Sequence, residues 1–285
     1  MNFVEKRITK NSHSGAMFKI LHQAEGPDVL IKTFFSDIER SKKNINKQKC
    51  QEKITYNKNH IQAAPVLSES ENLNTYIVKM AYIEGITAEK FLIRGSRDIS
   101  LKLKSNLDVY LEKSLDDSYN EEICSSIFIN KAAAVIESTT CQHLKSELIK
   151  CNIELLKYCN KNYRFPIGNC HGDLTLSNMI ISNDGTINLI DYLETFFESP
   201  LQDVVKIMQD FHYGWSFRYE SPAANLTAKI FCMHSTPSLF TGLKLKYKNQ
   251  IKILFILTLM RIAPYVNDEI TKIWLLKSLR RELIV

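Results

Sequence analysis

The chain has 285 residues, 45% of them hydrophobic, and a formal net charge of +6. A chain of this length can bury a sizeable core. It is also close to the length at which one hydrophobic core gives way to two domains, so we expect two lobes. The charge is moderate, and its lysines are spread along the chain without a nucleic-acid-binding motif, so nucleic acid is not an expected partner. The longest nearly unbroken apolar run near the C-terminus, residues 253–260, is far below the ~20 residues of a membrane span, so membrane insertion is not expected.

The start of the chain and its cysteines indicate a compartment. The first residues, MNFVEKRITK, place charge before any apolar run, which is not typical of a signal peptide. The seven cysteines include no C-x-x-C pair, and an odd number leaves at least one unpaired within the chain. We therefore expect free thiols in a reducing compartment, a cytoplasmic location and no zinc site.

The first third of the sequence is predicted to form antiparallel strands. Apolar runs bounded by turn residues indicate five strands, at residues 3–9, 16–23, 29–34, 65–67 and 75–83. The turn signal Glu25-Gly26-Pro27-Asp28 separates the second strand from the third. Residues 36–60 are polar and lack Gly and Pro, which predicts a solvent-exposed helix or two.

Beyond residue 87 the pattern becomes helical. Mixed three and four spacing of apolar residues predicts helices within 88–93, 101–115 and 123–159. After an isolated hairpin at residues 170–192, Ser199-Pro200 starts a further helix, and residues 226–285 are also helical. The predicted fold is α+β, with a strand-rich N-terminal lobe at residues 1–82 and a mainly helical C-terminal lobe at residues 83–285 that contains the hairpin.

The hairpin carries the polar residues that point to chemistry. Its turn contains Asp184-Gly185, a strong signal for a two-residue type I′ turn. With these two residues as the loop, Asn178 lies opposite Asp191 and both side chains project from the same face. An amide oxygen and a carboxylate that converge there could share Mg²⁺, a hard cation that takes oxygen ligands.

His171 and Asp173 lie in the loop that leads into this hairpin, where Gly172 frees the backbone. Taken singly, each of these polar residues is explained by hydrogen bonds within the loop or by a turn cap at Asn178. Together they favour a phosphate-transfer site, because a hairpin does not need two aspartates and an asparagine at one end.

The motif HGDLTLSN followed by LIDY resembles the catalytic loop and metal-binding segment of the aminoglycoside phosphotransferase and choline kinase group, relatives of the protein kinases. The spacings of five and thirteen residues are those of the protein-kinase motifs, whereas Gly172 replaces the Arg of H-R-D and Tyr192-Leu193 replace Phe-Gly. The resemblance implies a two-lobed protein-kinase-like fold with a five-stranded N-lobe sheet. It also implies that Asp173 is the catalytic base, that Asn178 and Asp191 hold Mg²⁺ on the phosphates of ATP, and that His171 braces the loop.

The same resemblance assigns the rest of a nucleotide site. Lys32, on the third predicted strand, would hold phosphate oxygens, paired with Glu52 or alternatively Glu39. The phosphate-covering loop would contribute Ser14 and Gly15, although G-x-G-x-x-G is absent. Backbone groups near Met80 to Tyr82 would take the adenine edge, and Asp203 would support the catalytic loop. An edge-strand lysine and a strand that ends in a turn are the structural alternatives for the first and third of these assignments.

The acceptor is expected to be a small-molecule alcohol. Only eleven residues separate Asp191 from Asp203, too few for the activation segment on which protein kinases carry a peptide. Residues 216–285 contain eleven Lys or Arg against four Asp or Glu, whereas a polycationic aminoglycoside would need an acidic pocket. A sugar or sugar derivative fits this balance, and IDYLETFFESPLQD resembles kinases of bacterial surface-polysaccharide pathways.

Other functions stay open at this point. A choline-type amino alcohol would need an aromatic cage, for which the aromatics of residues 211–219 are candidates. A nucleotide-binding pseudokinase or an enzyme that modifies a partner protein would keep the same fold. The sequence decides neither ATP against GTP nor the oligomeric state.

Overall fold

The structure, a computed structural model, describes residues 16–51, 54–56 and 59–284. The chain divides into two compact units. The first unit combines residues up to 87 with residues 178–196, and the second combines residues 88–177 with residues 197–285. The chain therefore leaves the first unit, builds part of the second, returns to the first for the hairpin and then completes the second. The lobe boundary predicted after residue 82 stays a prediction.

The strands, in chain order, are β1 (Met17–Leu21), β2 (Val29–Phe34), β3 (Ile54–Tyr56), β4 (Asn59–Ala63), β5 (Val66–Asn72), β6 (Thr75–Ala81), β7 (Gly85–Thr87), β8 (Tyr119–Ile123), β9 (Tyr163–Ile167), β10 (Met179–Ser182) and β11 (Ile187–Leu189). The helices are α1 (Ile38–Lys49), α2 (Ala88–Arg94), α3 (Arg97–Asp116), α4 (Ser126–Ser138), α5 (Gln142–Tyr158), α6 (Pro200–Tyr213), α7 (Pro222–Ser235), α8 (Leu239–Lys246), α9 (Lys248–Met260) and α10 (Glu269–Ile284).

A four-stranded antiparallel sheet in the order β1-β2-β6-β5 forms the main layer of the first unit. Side chains alternate along β6, so that Tyr76, Val78 and Met80 are buried and meet Ile45 of α1 in one core. Four of the five predicted strands are confirmed at β1, β2, β5 and β6. The sheet has four described strands rather than five, and the predicted strand at residues 3–9 lies outside the described residues.

A second sheet of the first unit has the order β3-β4-β11-β10-β7. Its presence corrects two predictions. The helical prediction for residues 36–60 is wrong at residues 54–56, 59 and 60, because β3 and β4 pair with each other and β4 runs parallel to β11. The hairpin of β10 and β11 was predicted inside the helical lobe, but its edges pair with β4 and β7, which give its backbone groups partners in the first unit.

The register of the hairpin also differs from the prediction. The pairs are Met179 with Leu189 and Ile181 with Ile187, one residue away from the predicted register. The Asp184 carboxylate accepts hydrogen bonds from the Thr186 amide at 2.9 Å and the Ser182 hydroxyl at 2.7 Å, which closes a three-residue loop. Gly185, at φ 80, takes the left-handed position that this loop type requires. Asn178 therefore lies opposite Ile190, and not opposite Asp191 as the two-residue turn predicted.

The second unit is mainly helical, with one two-stranded sheet of β8 and β9. Helix α9 is its central element, since residues 253–260 are buried on every side of the helix. The apolar run identified in the sequence is thus explained by burial within this unit. Among the described residues, no helix combines the length and hydropathy that crossing a bilayer requires. None of the seven cysteines forms a disulfide, and those at positions 151, 159, 170 and 232 are buried.

Candidate active site

The loop before the hairpin is held by a buried carboxylate of the second unit. Asp203, in the first turn of α6, is fully buried and accepts hydrogen bonds from the amides of His171 at 2.6 Å and Gly172 at 2.8 Å. The hydroxyl of Tyr110, on α3, donates to the same carboxylate at 2.9 Å. The backbone at Gly172 has φ 85, a conformation that glycine adopts without strain. Asp203 therefore supports this loop through its backbone, the role that the resemblance implied for it.

His171, two residues before Asp173, is fully buried. Its Nδ1 accepts a hydrogen bond from the amide of Asp173 at 3.2 Å. The acceptor role of Nδ1 places the proton of the neutral ring on Nε2. These contacts are those of a residue that braces the loop and orients the aspartate that follows it.

Asp173 forms an ion pair that the sequence analysis missed. The Lys206 ammonium, on α6, lies 2.9 Å from Asp173 Oδ1, and the two side chains are 17% and 27% exposed. Burial raises the pKa of Asp173, but attraction to Lys206, with smaller contributions from His171 and Arg261, holds that pKa below its ordinary value. Asp173 is therefore ionised near neutral pH, as a group that accepts a proton must be.

A second buried carboxylate of α6 holds the far end of the loop. Asp210 accepts hydrogen bonds from the amides of Leu176 and Ser216, each at 2.7 Å. Burial raises the pKa of Asp210 to about 6, against the opposing effect of these hydrogen bonds and with the nearby charge of Asp173 as a further cause. Sequence reasoning missed Asp210 as well. The available signal was the spacing of residues 203, 206 and 210, which places all three on one face of a helix.

The first unit contains the other half of the predicted residues. Lys32 Nζ, on β2, donates to Asp191 Oδ1 at 2.7 Å, with side-chain exposures of 9% and 50%. The same ammonium lies 5.3 Å and 5.1 Å from the ring centroids of Phe18 and Phe34. A cation in such apolar surroundings needs a partner of opposite charge, and Asp191 supplies it.

The two glutamates predicted as partners of Lys32 have different outcomes. Glu52 lies outside the described residues. Glu39 is exposed and forms its ion pair with Lys42 on the same helix, at 3.0 Å, and not with Lys32. The carboxylate that the structure brings to Lys32 among the described residues is that of Asp191.

Asp191 has a left-handed backbone conformation, with φ 60, which costs a non-glycine residue on the order of 1 kcal/mol. Hydrogen bonds made by the residues before and after Asp191 hold this conformation. The Ile190 amide donates to the Asn178 carbonyl at 3.1 Å. On the other side, Lys47 Nζ donates to the Leu193 carbonyl and the Glu194 amide donates to Asn44 Oδ1, each at 2.7 Å. Helix α1, which carries Asn44 and Lys47, thus holds the segment that follows Asp191.

The donor set at this end of the hairpin suits a hard cation. Asn178 and Asp191 offer amide and carboxylate oxygens, the ligands that Mg²⁺ takes in proteins. Asn178 directly precedes β10 and Asp191 follows β11 by two residues, and the hydrogen bond from the Ile190 amide to the Asn178 carbonyl joins the two segments. The half-exposed carboxylate of Asp191 is accessible to an ion from solvent. The residues present therefore fit Mg²⁺.

The remaining predicted nucleotide contacts are only partly described. Ser14 and Gly15 lie outside the described residues. Met80 is buried in β6 opposite Leu30. The Tyr82 amide donates to the Asp28 carbonyl and the Ala81 amide to the Pro65 carbonyl, each at 2.9 Å. These two amides are engaged within the protein, so other backbone groups near Met80 and Tyr82 would have to contact an adenine.

Comparisons with known proteins identify the fold. No protein-family model and no curated protein sequence matches this chain. A thermostable mutant of aminoglycoside phosphotransferase APH(4)-Ia, solved with ADP and hygromycin B, aligns with a TM-score of 0.61 at 13% identity over 99% of this chain and 98% of its own.

Two further solved structures are similar over most of their length. The GDP complex of a mutant aminoglycoside 2'-phosphotransferase IIIa has a TM-score of 0.52 at 11% identity, over 98% of this chain and 94% of that one. An aminoglycoside phosphotransferase from Alicyclobacillus acidocaldarius has a TM-score of 0.51 at 10% identity, over 96% and 89%. The chain therefore has the fold of the aminoglycoside phosphotransferases, which confirms the predicted α+β, protein-kinase-like fold class.

Proposed function

We propose that the protein is an ATP- and Mg²⁺-dependent phosphotransferase that moves the γ-phosphoryl group to a hydroxyl of a small molecule, a sugar or sugar derivative of surface-polysaccharide metabolism. The observation that carries this proposal is the ion pair of the Asp173 carboxylate with Lys206 at 2.9 Å, on a loop that Asp203 fixes through two amides. A shared fold with nucleotide-bound phosphotransferases supports it. The cysteines, none of which forms a disulfide, support a cytoplasmic location.

Asp173 acts as the base in this proposal. Its carboxylate accepts a hydrogen bond from the acceptor hydroxyl, orients an oxygen lone pair toward the phosphorus and takes the proton as the new O–P bond forms. The depressed pKa of Asp173 keeps the group unprotonated before each turnover. His171 has no part in proton transfer here, because its Nδ1 already accepts the Asp173 amide within the loop.

The first unit would bind the nucleotide. Lys32 would exchange its contact with Asp191 for phosphate oxygens, or share its three donors between the two. Asn178 and Asp191 would hold Mg²⁺, which when bound neutralises charge on the phosphate oxygens. Ser14 and Gly15 would cover the phosphates, Glu52 would pair with Lys32, and backbone groups around Met80 and Tyr82 would contact the base.

The charge of the second unit supports an acceptor that is not polycationic. Residues 216–285 carry eleven basic side chains against four acidic ones, and those four acidic side chains are engaged: Glu220 with Lys90, Asp268 with Tyr219, Glu269 with Lys272, and Glu282 with Lys252. A pocket built from these residues would repel an aminoglycoside at neutral pH. A sugar or a sugar phosphate would not be repelled.

Three of the five aromatic residues at positions 211–219 that were candidates for a choline-type acceptor already have an arginine over one ring face. The Arg218 guanidinium lies 3.7 Å from the ring centroid of Trp215 and 4.3 Å from that of Tyr219. Arg281 lies 4.8 Å from the ring centroid of Tyr213, and Phe217 is buried. A quaternary ammonium ion would have to displace an arginine to reach these faces. This counts against the amino-alcohol alternative.

The test is a metabolite screen with Mg²⁺ and ATP, read by mass for the gain of one phosphate. We expect a phosphorylated sugar or sugar derivative, and ADP formed in equal amount. Asp173→Asn should lower turnover by about 10²- to 10⁴-fold while nucleotide affinity is nearly unchanged. The matched control is Asp117→Asn, an exposed aspartate paired with Lys113 in the same unit.

Three other outcomes would decide for the alternatives. Label that passes from ATP to protein in an extract, without a small-molecule product, would support the protein-modifying enzyme. Nucleotide binding without any ATP consumption would support the pseudokinase, although Lys32, Asp173, Asn178 and Asp191 are all present. Faster phosphorylation of choline or ethanolamine than of any sugar would support the amino-alcohol kinase.

A further inference from the structure

Helix α6 contacts the loop of residues 171–177 once per turn. Asp203, Lys206 and Asp210 lie at positions i, i+3 and i+7 and so share one helix face. Asp203 binds backbone amides at the start of the loop, and Asp210 binds the Leu176 amide near its end. Lys206 differs from both, because it contacts a side chain, that of Asp173.

This lysine lies among carboxylates. Asp173, Asp203 and Asp210 are brought to one region of the second unit by the loop and by α6, and both α6 aspartates are fully buried. Like charges at short range raise the cost of ionising each group. Burial, with the nearby charge of Asp173 as a smaller cause, raises the pKa of Asp210 to about 6, although Asp210 accepts hydrogen bonds from Leu176 and Ser216. The pKa of Asp173 is lowered instead. Asp173 differs from Asp210 in that its carboxylate contacts the Lys206 ammonium.

The titratable and charged groups that face Asp173 come from three elements. Lys206 and Asp210 belong to α6, His171 belongs to the loop itself, and Arg261 follows the last residue of α9. Lys206 is in hydrogen-bonding contact with the carboxylate, and of the cations it lowers the pKa of Asp173 the most. Its ammonium is mostly buried, so water screens this attraction less than at the protein surface.

We propose that Lys206 is a positioning residue of the transfer reaction, which fixes the carboxylate of Asp173 and keeps it ionised for the acceptor hydroxyl. This inference rests on the proposed function. It adds a residue outside the H-G-D-x-x-x-x-N motif to the machinery and gives it a task separate from nucleotide binding. A lysine that only stabilised the packing of α6 would leave the protonation of Asp173 unchanged.

The experiment compares Lys206→Met and Lys206→Arg with the wild type, measuring ADP production from Mg²⁺ and ATP between pH 5 and pH 9, with the acceptor found in the screen and with water alone. Without the ammonium, the acid limb of kcat/KM should move to higher pH by about two units or more and so enter this pH range, because a buried carboxyl without a cation titrates higher. At pH 5, kcat should fall about twofold or more relative to the wild type, and the KM for ATP should change less than twofold. Lys206→Arg should restore the wild-type acid limb.

Lys252→Met is the matched control. Lys252 is 16% exposed and pairs with Glu282 at 2.8 Å in the same unit, so its loss removes an equally buried ion pair away from Asp173. It should lower stability without moving the acid limb. A Lys206→Met enzyme with the wild-type acid limb and kcat would overturn the inference while leaving the proposed function intact.

A direct titration of Asp173 distinguishes a failure of the inference on Lys206 from a failure of the proposed function. If the wild type consumes no ATP, the proposed function fails, and the Asp173 carboxyl can still be followed by carbon NMR, with Asp173→Asn to assign its signal. The inference requires that Lys206→Met raises this pKa and that Lys252→Met does not. An unchanged pKa would contradict it whatever the activity.

Discussion

Lys32 and Asp191 form a close ion pair within the first unit, with 2.7 Å between Nζ and Oδ1. Their positions are 159 residues apart in sequence, and the pair joins the four-stranded sheet to the end of the hairpin. The lysine is buried beside two phenylalanine rings, whereas the aspartate is half exposed. The pair thus keeps a buried ammonium compensated while a carboxylate faces solvent.

Removing the carboxylate should affect both nucleotide binding and stability. Asp191→Ala should abolish Mg²⁺-dependent ATP binding measured by calorimetry, since the proposed metal ligand and the partner of Lys32 are both lost. The substitution should lower the free energy of unfolding by only about 1 kcal/mol, because water screens the exposed side of the ion pair. The control is Glu39→Gln, which removes a surface partner of Lys42 and should leave binding unchanged. Retained Mg²⁺-dependent binding in Asp191→Ala would exclude the metal assignment.

Substitution of Asp203 should weaken the second unit and the activity together. In Asp203→Ala the amides of His171 and Gly172 lose their acceptor in a fully buried place. Each buried, unpaired amide costs about 1–3 kcal/mol, so the free energy of unfolding should fall by about 2–5 kcal/mol in a urea titration. Because the loop would relax around Asp173, kcat should fall as well. Tyr110→Phe serves as the milder control, since it removes one donor and leaves both amides bonded.

Several features of this arrangement could be predicted from the sequence because they depend on local chemistry. The strands β1, β2 and β6, the hairpin, Gly172 and the position of Lys32 on a strand follow from apolar runs and turn residues. The register of the hairpin did not follow, because the Asp184 side chain closes the loop one residue earlier than the Asp-Gly pair alone suggests. A single-residue shift of that kind changes which side chains face each other.

The missed features depend on contacts between distant parts of the chain. Residues 54–56, 59 and 60 fall within the polar segment predicted to be helical, yet they belong to β3 and β4, and β4 pairs with the parallel edge of β11. Tertiary pairing overrides local propensity in such segments. The Lys206–Asp173 and Lys32–Asp191 pairs join residues 33 and 159 positions apart, and no local pattern states that they meet.

Helix α1 should influence nucleotide binding through the backbone after Asp191. Lys47→Met removes the hydrogen bond from Nζ to the Leu193 carbonyl. The backbone that follows Asp191, the residue with φ 60, is then held less firmly. The affinity for Mg²⁺ and ATP should fall about threefold to tenfold, because the loss of one hydrogen bond to a charged donor costs on the order of 1 kcal/mol. Lys49→Met, on the same helix but paired with Glu69, is the control and should bind as the wild type does. Equal affinities for the two variants would show that the bond to Leu193 has no such role.

Asp210 should give the free energy of unfolding a distinct pH dependence. Its pKa is about 6 in the folded protein, against an ordinary value of 3.8, so between these values the folded state binds more protons than the unfolded state. Stability must therefore rise as pH falls from 7 to 5, by about 1 kcal/mol from this group. Asp173 does not oppose this within that window, because its lowered pKa confines its own contribution to pH below about 4. Urea titrations at pH 5, 6 and 7 measure how the free energy of unfolding changes with pH. Asp210→Asn should lose this dependence, and Asp117→Asn should keep it. A slope that persists in Asp210→Asn would assign the pH dependence to another group.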